Sequence, residues 1–300
     1  MNTRTIRSLL GCALLALLLV PLAASAADSL ERIRATRTLL VGVREAAIPF
    51  SYLNEQKQPV GYTIDICRKV ADALRRELKL SELKLSFQKV TTEDRFDKIA
   101  SGAIDIECGS TTNLKSRQQK VAFSYSIFVS GTRLLVRKDS GISGLESLNG
   151  KRVGIVRGTT SEKIFSGLQA SGAGMKLQVF AGNGEAVRAL DAGKVDAFAQ
   201  QEVQLAGQMG RLSHPEQFAV VGAGLSVEPV GLVVRKDDKQ LLALVDKALA
   251  ALFASGEINA IYDRWFNTPT LKVPMSAMTR DSLMHPSHEA GVVRVLGQSF

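Results

Sequence analysis

The order of predicted strands and helices is the feature that most restricts how this chain can fold. Short apolar stretches typical of buried strands lie at residues 39–43, 83–90 and 104–108. Between them, the sequence predicts a long helix with apolar residues at helical spacing over 64–78 and a short helix over 93–100. Strands and helices that alternate in this way form a largely parallel sheet flanked by helices.

A second stretch of the chain repeats this order of elements. Strands are predicted over 151–156, 176–180 and 195–200, and helices over 160–168 and 185–190 between them. A unit that occurs twice in one chain indicates two similar substructures. The repeat therefore predicts two α/β lobes.

The turn into the third strand has the same spacing in both units. It reads Gly102-Ala-Ile-Asp105 in the first unit and Gly193-Lys-Val-Asp196 in the second. One such match is a weak signal, but it adds to the repeated order of elements and favours two related lobes.

Two apolar stretches flank the second unit, at residues 131–137 and 231–235, and are candidate hinge strands between the lobes. We therefore expect lobe 1 to consist of residues 27–133 and 232–300, and lobe 2 of residues 134–231. Toward the C-terminal end, apolar periodicity predicts helices before residue 268. The remaining residues are expected to be irregular and to lie over lobe 1.

The first residues have the pattern of a secretory signal peptide. Arg4 and Arg7 precede an apolar run over 9–20, and small residues at 24–26 suit a signal peptidase. An apolar run of about a dozen residues is shorter than the roughly 20 that a membrane-spanning helix requires. We therefore predict that residues 1–26 are removed on export and that the mature protein is periplasmic.

The charge of the chain is moderate. The formal net charge is +9, and loss of the two arginines in residues 1–26 leaves +7. Basic residues do not cluster with aromatic ones, so the sequence gives no support for nucleic-acid binding. Cys67 and Cys108 remain after processing, and the sequence leaves open whether they pair or stay as buried thiols.

Candidate ligand-binding residues lie after predicted strands, because ligands of open parallel sheets bind beyond the carboxyl ends of the strands. Arg44 follows the first strand of lobe 1, and a Gly-Ser-Thr-Thr-Asn turn at 109–113 follows the third. A Gly-Thr-Thr-Ser-Glu turn at 158–162 follows the first strand of lobe 2. Each turn opens a helix, where free backbone N–H groups and hydroxyls suit a carboxylate, although Thr159 with Glu162 also fits a helix cap.

Arginine side chains near these turns strengthen the prediction of an acidic ligand. Arg117 lies in the helix that follows the first turn, and its planar fork can hold a carboxylate with two parallel hydrogen bonds. Arg44 and Arg95 are candidates for a second carboxylate. The alternative is that each arginine is an ordinary solvated residue, since the sequence alone does not bring the three together.

Several stretches resemble the family-3 solute-binding proteins of ABC importers, and most of all the glutamate/aspartate-binding branch. They are VGVREAAIPFSY, GYTIDICRKVADAL, TTEDRFDKIASGAIDIECGSTTNLKSRQQKVAFS, GTTSE and SGEINAIYDRWF. The most specific is ECGSTTN, which is followed by an arginine four residues past its asparagine. The resemblance runs from about residue 30 to 269 and implies the type II periplasmic-binding-protein fold, with two lobes that close on the ligand.

The resemblance also implies roles for the candidate residues. Arg117 would grip the α-carboxylate of an amino acid, while Arg44 and Arg95 would meet its side-chain carboxylate with Thr92 nearby. Further donors to the α-carboxylate would come from Ser110, Thr112 and Thr160. The implied partners are a small acidic amino acid or dicarboxylate and an ABC permease in the inner membrane. We expect a monomer without a cofactor or metal.

Departures from the family pattern concern the ligand's ammonium group. The family usually places an acid after the third strand of lobe 2, where this chain has Gln201. Glu202 is adjacent, but neighbouring strand residues point to opposite faces. Pro229 and Val230 stand where the relatives tend to have an aromatic residue, and Thr63 where an acid is usual. Two hypotheses follow: an acidic amino acid whose ammonium is held by Gln201 and backbone carbonyls, or a dicarboxylate without an amine.

Two other functions are compatible with a protein of this fold. A periplasmic dehydratase of this fold would need an acid above a departing hydroxyl, and Glu202 or Glu228 is a candidate without a recognisable catalytic constellation. His214, His285 and His288 show no spacing typical of a metal site. A sensory role, in which the closed protein docks on a receptor, is not distinguished from transport by the sequence. We therefore expect a binding protein rather than an enzyme.

Overall fold

The computed structural model describes residues 29–293, so the predicted signal peptide lies outside the described residues. This range contains ten α-helices. In chain order, α1 to α10 are Ser29–Thr36, Tyr62–Glu77, Arg95–Ala100, Lys115–Gln118, Thr160–Ala170, Asn183–Asp191, Glu202–Met209, Lys239–Ala254, Glu257–Phe266 and Ala277–Met284. None of the helices within 29–293 is long and apolar enough to cross a membrane.

The same range contains fourteen β-strands. In chain order, β1 to β14 are Thr38–Val43, Ala46–Ala47, Ser51–Leu53, Pro59–Val60, Lys84–Lys89, Ile106–Glu107, Val121–Ser130, Thr132–Arg137, Arg152–Val156, Lys176–Phe180, Ala197–Gln201, Phe218–Val221, Ser226–Arg235 and Val292–Val293. The ten predicted elements of the two repeated units are all present, with ends shifted by a few residues. The prediction missed β7, the ten-residue strand that precedes the second unit.

The strands form two main sheets with the same arrangement. In the first, β1 lies between β5 and β6 and is parallel to both. In the second, β9 lies between β10 and β11 and is parallel to both. Each set is then extended by an antiparallel strand, β13 beside β6 and β8 beside β11. The two sheets confirm the predicted two-lobed α/β architecture.

The repeated Gly-x-x-Asp turn has the same structure in both lobes. Gly102 and Gly193 adopt φ values of 74° and 66°, which favour glycine. The Asp105 carboxylate accepts a hydrogen bond from the backbone N–H of Leu40 at 2.7 Å, and the Asp196 carboxylate accepts one from that of Arg152 at 2.8 Å. Each aspartate therefore ties the third strand of its lobe to the start of the first.

Each lobe has its own apolar core. In lobe 1, the predicted face of α2 is buried under the sheet, with Ile66, Val70 and Leu74 at most 1% exposed. In lobe 2, apolar side chains pack on both faces of the sheet as two separate clusters. Cys67 of α2 and Cys108, just after β6, form a disulfide with their Cα atoms 6.4 Å apart. The disulfide answers the question that the sequence left open.

The chain crosses between the sheets at two adjacent places. Gly131 separates β7 of the first sheet from β8 of the second, and residues 222–225 separate β12 of the second from β13 of the first. The two crossings are joined where Thr132 donates its backbone N–H to the hydroxyl of Ser226 at 2.9 Å. This pair of crossings is the hinge region. The predicted division of the chain at residues 133 and 231 stays a prediction.

The stretch after residue 268 is not wholly irregular, unlike the prediction. It contains α10, which begins with the Ser276 hydroxyl as its cap, and β14 beside β13. Thr279 of α10 exchanges hydrogen bonds of 3.2 Å with the backbone of Val129 in β7. The segment after α10 is held by Asn113, whose side-chain amide donates to the carbonyls of His288 and Glu289.

Candidate functional site

A cleft between the lobes brings together the carboxyl ends of six parallel strands, three from each sheet. The cavity in this cleft is lined entirely by polar side chains, which suits a small charged solute. The lining residues are Arg44, Thr92, Arg95, Ser110, Thr111, Thr112, Arg117, Thr159, Thr160, Asn183, Gln200, Gln201, Gln204 and Glu228. All eight predicted ligand-binding residues are in this set.

The cavity between the closed lobes is narrow. The space open to the centre of a water-sized sphere is about 20 Å³, and a single water needs at least about 10–15 Å³ on the same measure. A solute of several heavy atoms can therefore enter only when the lobes separate, and it must displace side-chain contacts when they close.

Three arginines place positive charge in the cavity. Arg95 is 2% exposed, and its Nε and Nη1 atoms have no hydrogen-bond partner in the part of the chain that the structure describes. The central carbon of its guanidinium lies 4.6 Å from the centre of the Phe96 ring, within the range of a cation–π interaction. Unpaired donors on a buried guanidinium indicate that the site is built for an anion.

Burial is the main influence on the pKa of each cavity arginine. Removal from water lowers the pKa of Arg44, and it lowers that of Arg117 to about 10. The pKa of Arg95 is well below its usual value, because burial acts together with the positive charges of Arg117 and Arg44. The buried carboxylate of Glu107 opposes the decrease in all three. An anionic ligand would relieve the repulsion between these guanidinium groups.

The two hydroxyl-rich turns face each other across the cleft. Thr160 donates its hydroxyl to that of Thr112 at 3.2 Å, which joins the lobes. Thr159 also caps α5, since its hydroxyl accepts from the backbone N–H of Glu162 at 3.2 Å. The capping interpretation and the position in the cavity therefore both hold for this turn. Thr92, from lobe 1, is 5% exposed, and Ser110 is 8% exposed.

Gly158 lies where the two lobes contact each other, a role that its sequence context does not indicate. Its carbonyl accepts hydrogen bonds of 3.1 Å from both Arg95 and Arg117 of the other lobe. Its φ is 73°, and a Cβ atom there would lie 2.6 Å from the carbonyl oxygen of Thr92. Glycine is therefore required for this backbone approach.

Gln201 lies in the cavity, and Glu202 does not. Gln201 is 2% exposed and donates its amide to Thr112 and Glu228, both at 3.0 Å. The side chain of Glu202 is 46% exposed and lies 3.4 Å from Arg133. Glu202 is therefore excluded as the acid of the site, as the alternation of strand residues predicted.

Glu228 is the carboxylate that lines the cavity, whereas the sequence suggested it only as a candidate catalytic acid. It is fully buried on β13, an antiparallel strand, so a search of parallel strand ends could not find it. Asn183 lies beyond the end of β10, so the same search applied to that strand would have found it. Gln200, Gln204, Thr111 and Thr159 are each close in sequence to a predicted site residue.

The described residues hold no group of three or more histidine, cysteine or acidic side chains arranged to bind a metal ion. His214 and His285 are largely exposed, and His288 pairs with Asp246 at 2.8 Å on lobe 1. The chemistry of the cavity is that of charge-assisted hydrogen bonding to a small ion.

Comparison with known proteins agrees with the geometry. The family model for bacterial extracellular solute-binding proteins, family 3, matches residues 39–268. The L-glutamate/L-aspartate-binding protein of Pseudomonas aeruginosa is 39% identical over 293 residues, which cover 94% of this chain and 97% of that protein. The glutamate/aspartate import solute-binding protein of Escherichia coli is 35% identical and covers 82% of each chain.

A solved structure shows the same fold. It is an ancestral amino acid-binding protein described as a precursor of cyclohexadienyl dehydratase, with a TM-score of 0.69 and 28% identity. The match covers 80% of this chain and 100% of that one. The fold therefore occurs both in binding proteins and in the ancestry of an enzyme, and the residues of the cavity must decide between them.

Proposed function

The chain belongs to the bacterial extracellular solute-binding proteins of family 3, and from this premise we propose that it is the glutamate- and aspartate-binding component of an ABC importer. The named relatives that share 39% and 35% of its residues bind or import these two amino acids. Their similarity supports the ligand class, and the side chains of the cleft support it independently.

The observation that carries the proposal is the convergence of Arg44, Arg95 and Arg117 on one polar cavity between the lobes. Three cations suit a solute with two carboxylates better than they suit a neutral or basic amino acid. In the proposed complex, Arg117 holds the α-carboxylate with the hydroxyls of Thr112 and Thr160. Arg44 and Arg95 hold the side-chain carboxylate, with Thr92 beside them.

Binding is proposed to occur by closure at the hinge region. The ligand enters the open cleft, and contacts from both lobes favour the closed state by the free energy of the contacts made only there. The cross-cleft hydrogen bonds of Arg95, Arg117 and Thr160 also form only when the lobes are closed, so they add to the ligand's own contacts in that state. The closed pair of lobes is then the form that the permease recognises.

We propose binding without catalysis. A dehydratase would need a proton donor free to act on a leaving group, whereas Glu228, the acid that lines the cavity, already accepts hydrogen bonds from four side chains. The named relatives are solute-binding proteins. Incubation with prephenate should therefore produce no phenylpyruvate above the rate without protein.

The proposal includes the site of action. A signal peptide at residues 1–26 would direct the chain to the periplasm, where a monomer would deliver its ligand to a permease in the inner membrane. Lobe 1 would comprise the residues before the crossing at Gly131 and after the crossing at residues 222–225, and lobe 2 the residues between them, close to the boundaries predicted from the sequence. Mass spectrometry of the protein purified from the periplasm should give the mass of a chain that begins at Ala27.

Calorimetry tests the ligand class. Glutamate and aspartate should bind with micromolar or lower Kd, which requires about −8 kcal/mol, while arginine, histidine and glutamine should not bind measurably. The amine-free acids 2-oxoglutarate and succinate form the decisive comparison, because Gln201 is neutral where the family usually has an acid. Tight binding of the amine-free acids alone would replace amino-acid import with dicarboxylate import.

A further inference from the structure

Glu228 occupies a junction between the ligand cavity and the hinge region. Its Oε1 atom accepts hydrogen bonds of 2.6 Å from the hydroxyls of Thr132 and Ser226, which directly follow the two crossings. Its Oε2 atom accepts from the hydroxyl of Thr112 at 2.8 Å and the amide of Gln201 at 3.0 Å. Since Thr112 and Gln201 line the cavity, Oε2 is the oxygen on the ligand side.

The hydrogen bonds around Glu228 require an ionised carboxylate. The Thr112 hydroxyl already accepts from Thr160 and Gln201, so its own hydrogen points to Glu228. The Ser226 hydroxyl already accepts from the backbone of Thr132, so its hydrogen also points to Glu228. A carboxylate that receives hydrogens from all its partners acts as an acceptor only and carries the negative charge.

Gln201 presents its donor side to Glu228 in this arrangement. Its amide nitrogen faces Glu228 and Thr112, and its carbonyl oxygen accepts from Gln204 at 2.7 Å. Gln204 in turn accepts from Asn183, and Asn183 from Gln200, at 2.8 and 2.9 Å. Every amide in this series donates in the direction of Glu228, so the oxygen of Gln201 faces Gln204 and its nitrogen faces Glu228.

Glu228 also lies close enough to Arg117 to influence it. Among the charges that oppose the lowering of the Arg117 pKa by burial, the Glu228 carboxylate is the largest. The α-carbon of an amino acid carries a carboxylate and an ammonium side by side. A neighbouring guanidinium and carboxylate match this pair, and Arg44 and Arg95 remain for the distal carboxylate.

We propose that Glu228 accepts the ammonium group of the ligand and is the residue that makes this site prefer an acidic amino acid to the corresponding amine-free dicarboxylate. This inference rests on the proposed function. On binding, Oε2 exchanges the amide of Gln201 for an N–H of the ligand, while Oε1 keeps its two bonds to the hinge region. The acid that the family places beyond β11 is thus replaced by one on β13. Because Glu228 also bonds to the hinge region, ammonium binding is linked directly to the strands about which the lobes close.

The test compares two ligands that differ only in the amine, glutamate and glutarate, on wild-type protein and on Glu228→Gln. The substitution keeps the shape of the side chain and removes its charge. Glutamate should bind about 100-fold more weakly or worse to Glu228→Gln, as for loss of a buried charged partner. Glutarate should bind Glu228→Gln at least as tightly as it binds wild type, because no cation is lost and a repulsive charge is removed.

Glu202→Gln is the matched control, since it removes the same charge from an exposed neighbour of Gln201. It should leave the ratio of glutamate to glutarate affinity unchanged. Glu228→Asp keeps the charge and should keep the preference for glutamate, although both ligands will bind more weakly. Thermal unfolding of each variant reports whether it is folded.

The outcomes separate this inference from the proposed function. The inference is supported if the ratio of glutamate to glutarate affinity decreases strongly in Glu228→Gln and in no other variant. Equal weakening of both ligands in a folded Glu228→Gln protein makes Glu228 a structural residue of the hinge region and overturns it. Wild-type protein that binds glutarate as tightly as glutamate also overturns it, whether or not any variant folds. Wild-type protein that binds neither compound overturns the proposed function itself.

Discussion

Replacement of Arg117 by alanine should abolish most of the affinity for glutamate without destabilising the ligand-free protein. The guanidinium of Arg117 is fixed by Nη1 donating to the carbonyl of Thr112 at 2.9 Å and Nη2 to that of Gly158 at 3.1 Å. Two of its five N–H groups are used, so three remain for the α-carboxylate. The guanidinium of Arg117 is thus held by both lobes when the cleft is closed.

The expected loss of binding free energy follows from the burial of this charge in the cleft. Loss of one partner of a buried ion pair costs about 3–5 kcal/mol, and we take the lower value because Arg117 as a whole is half-buried. Since about 1.4 kcal/mol corresponds to a factor of ten, Arg117→Ala should weaken glutamate binding by about 150-fold. Arg117→Lys keeps the charge without the planar fork and should lie between alanine and wild type.

The stability of the ligand-free variant provides a second readout. Burial lowers the pKa of Arg117 to about 10, so at neutral pH the folded state keeps this cation charged at a cost. Removal of the side chain should leave the Tm of the ligand-free protein unchanged or higher, while the shift in Tm on adding glutamate disappears. A structural arginine would instead lower the Tm when it is removed.

Calorimetry and thermal unfolding measure both effects, with Arg157→Ala as the matched control. Arg157 also spans the cleft, 3.3 Å from Glu93, but both side chains are more than half exposed. A pair of this kind contributes at most about 1 kcal/mol, so the control should bind glutamate within about fivefold of wild type. Arg117→Ala protein with affinity inside that same range would refute the assignment.

Three further predictions concern the backbone at the cleft and the stability of the two lobes. Gly158→Ala should weaken glutamate binding about tenfold or more, because its Cβ would meet Thr92 in the closed cleft; Gly141→Ala, with φ 71° and open space around it, is the calorimetric control and should bind normally. Replacing Cys67 and Cys108 together by serine should lower the free energy of unfolding in urea by about 2–4 kcal/mol, since the disulfide closes a loop of 41 residues; an unchanged unfolding midpoint would contradict this. The hydrogen bond from Arg152 lowers the pKa of Asp196, so its carboxylate stabilises the fold above the unfolded pKa and loses that effect as pH falls through the folded one. Asp196→Asn should therefore lower Tm at pH 7, with the difference shrinking below about pH 4; a difference that persists in acid would point to another cause.

Much of the fold followed from local pattern. Apolar periodicity located the strands and helices of both lobes, because each packs one face against its own core. Arg44, Thr112 and Thr160 were found because parallel strands bring their carboxyl ends to one edge of a sheet, so position along the chain predicts position in space. The resemblance to a family then gave the same residues their roles.

The features that could not be predicted from the sequence depend on contacts between segments far apart in the chain. Glu228 meets Thr112 and Thr132 across 116 and 96 residues, and it approaches the cavity from an antiparallel strand near the hinge region. Position alone gives no sign of such a contact. Pairing of Cys67 with Cys108 likewise requires α2 and β6 to be packed together first. Gly158 became significant only when the backbone of Thr92 was placed against it.

A crystal structure of the wild-type protein with L-glutamate tests the central claim most directly, because it places each charged group of the ligand. We predict density in the cleft with the α-carboxylate on Arg117 and the distal carboxylate on Arg44 and Arg95. The ammonium should lie about 3 Å from Glu228 Oε2. Glutamate bound outside this cleft, or bound in it without contact to Arg117, would contradict the account.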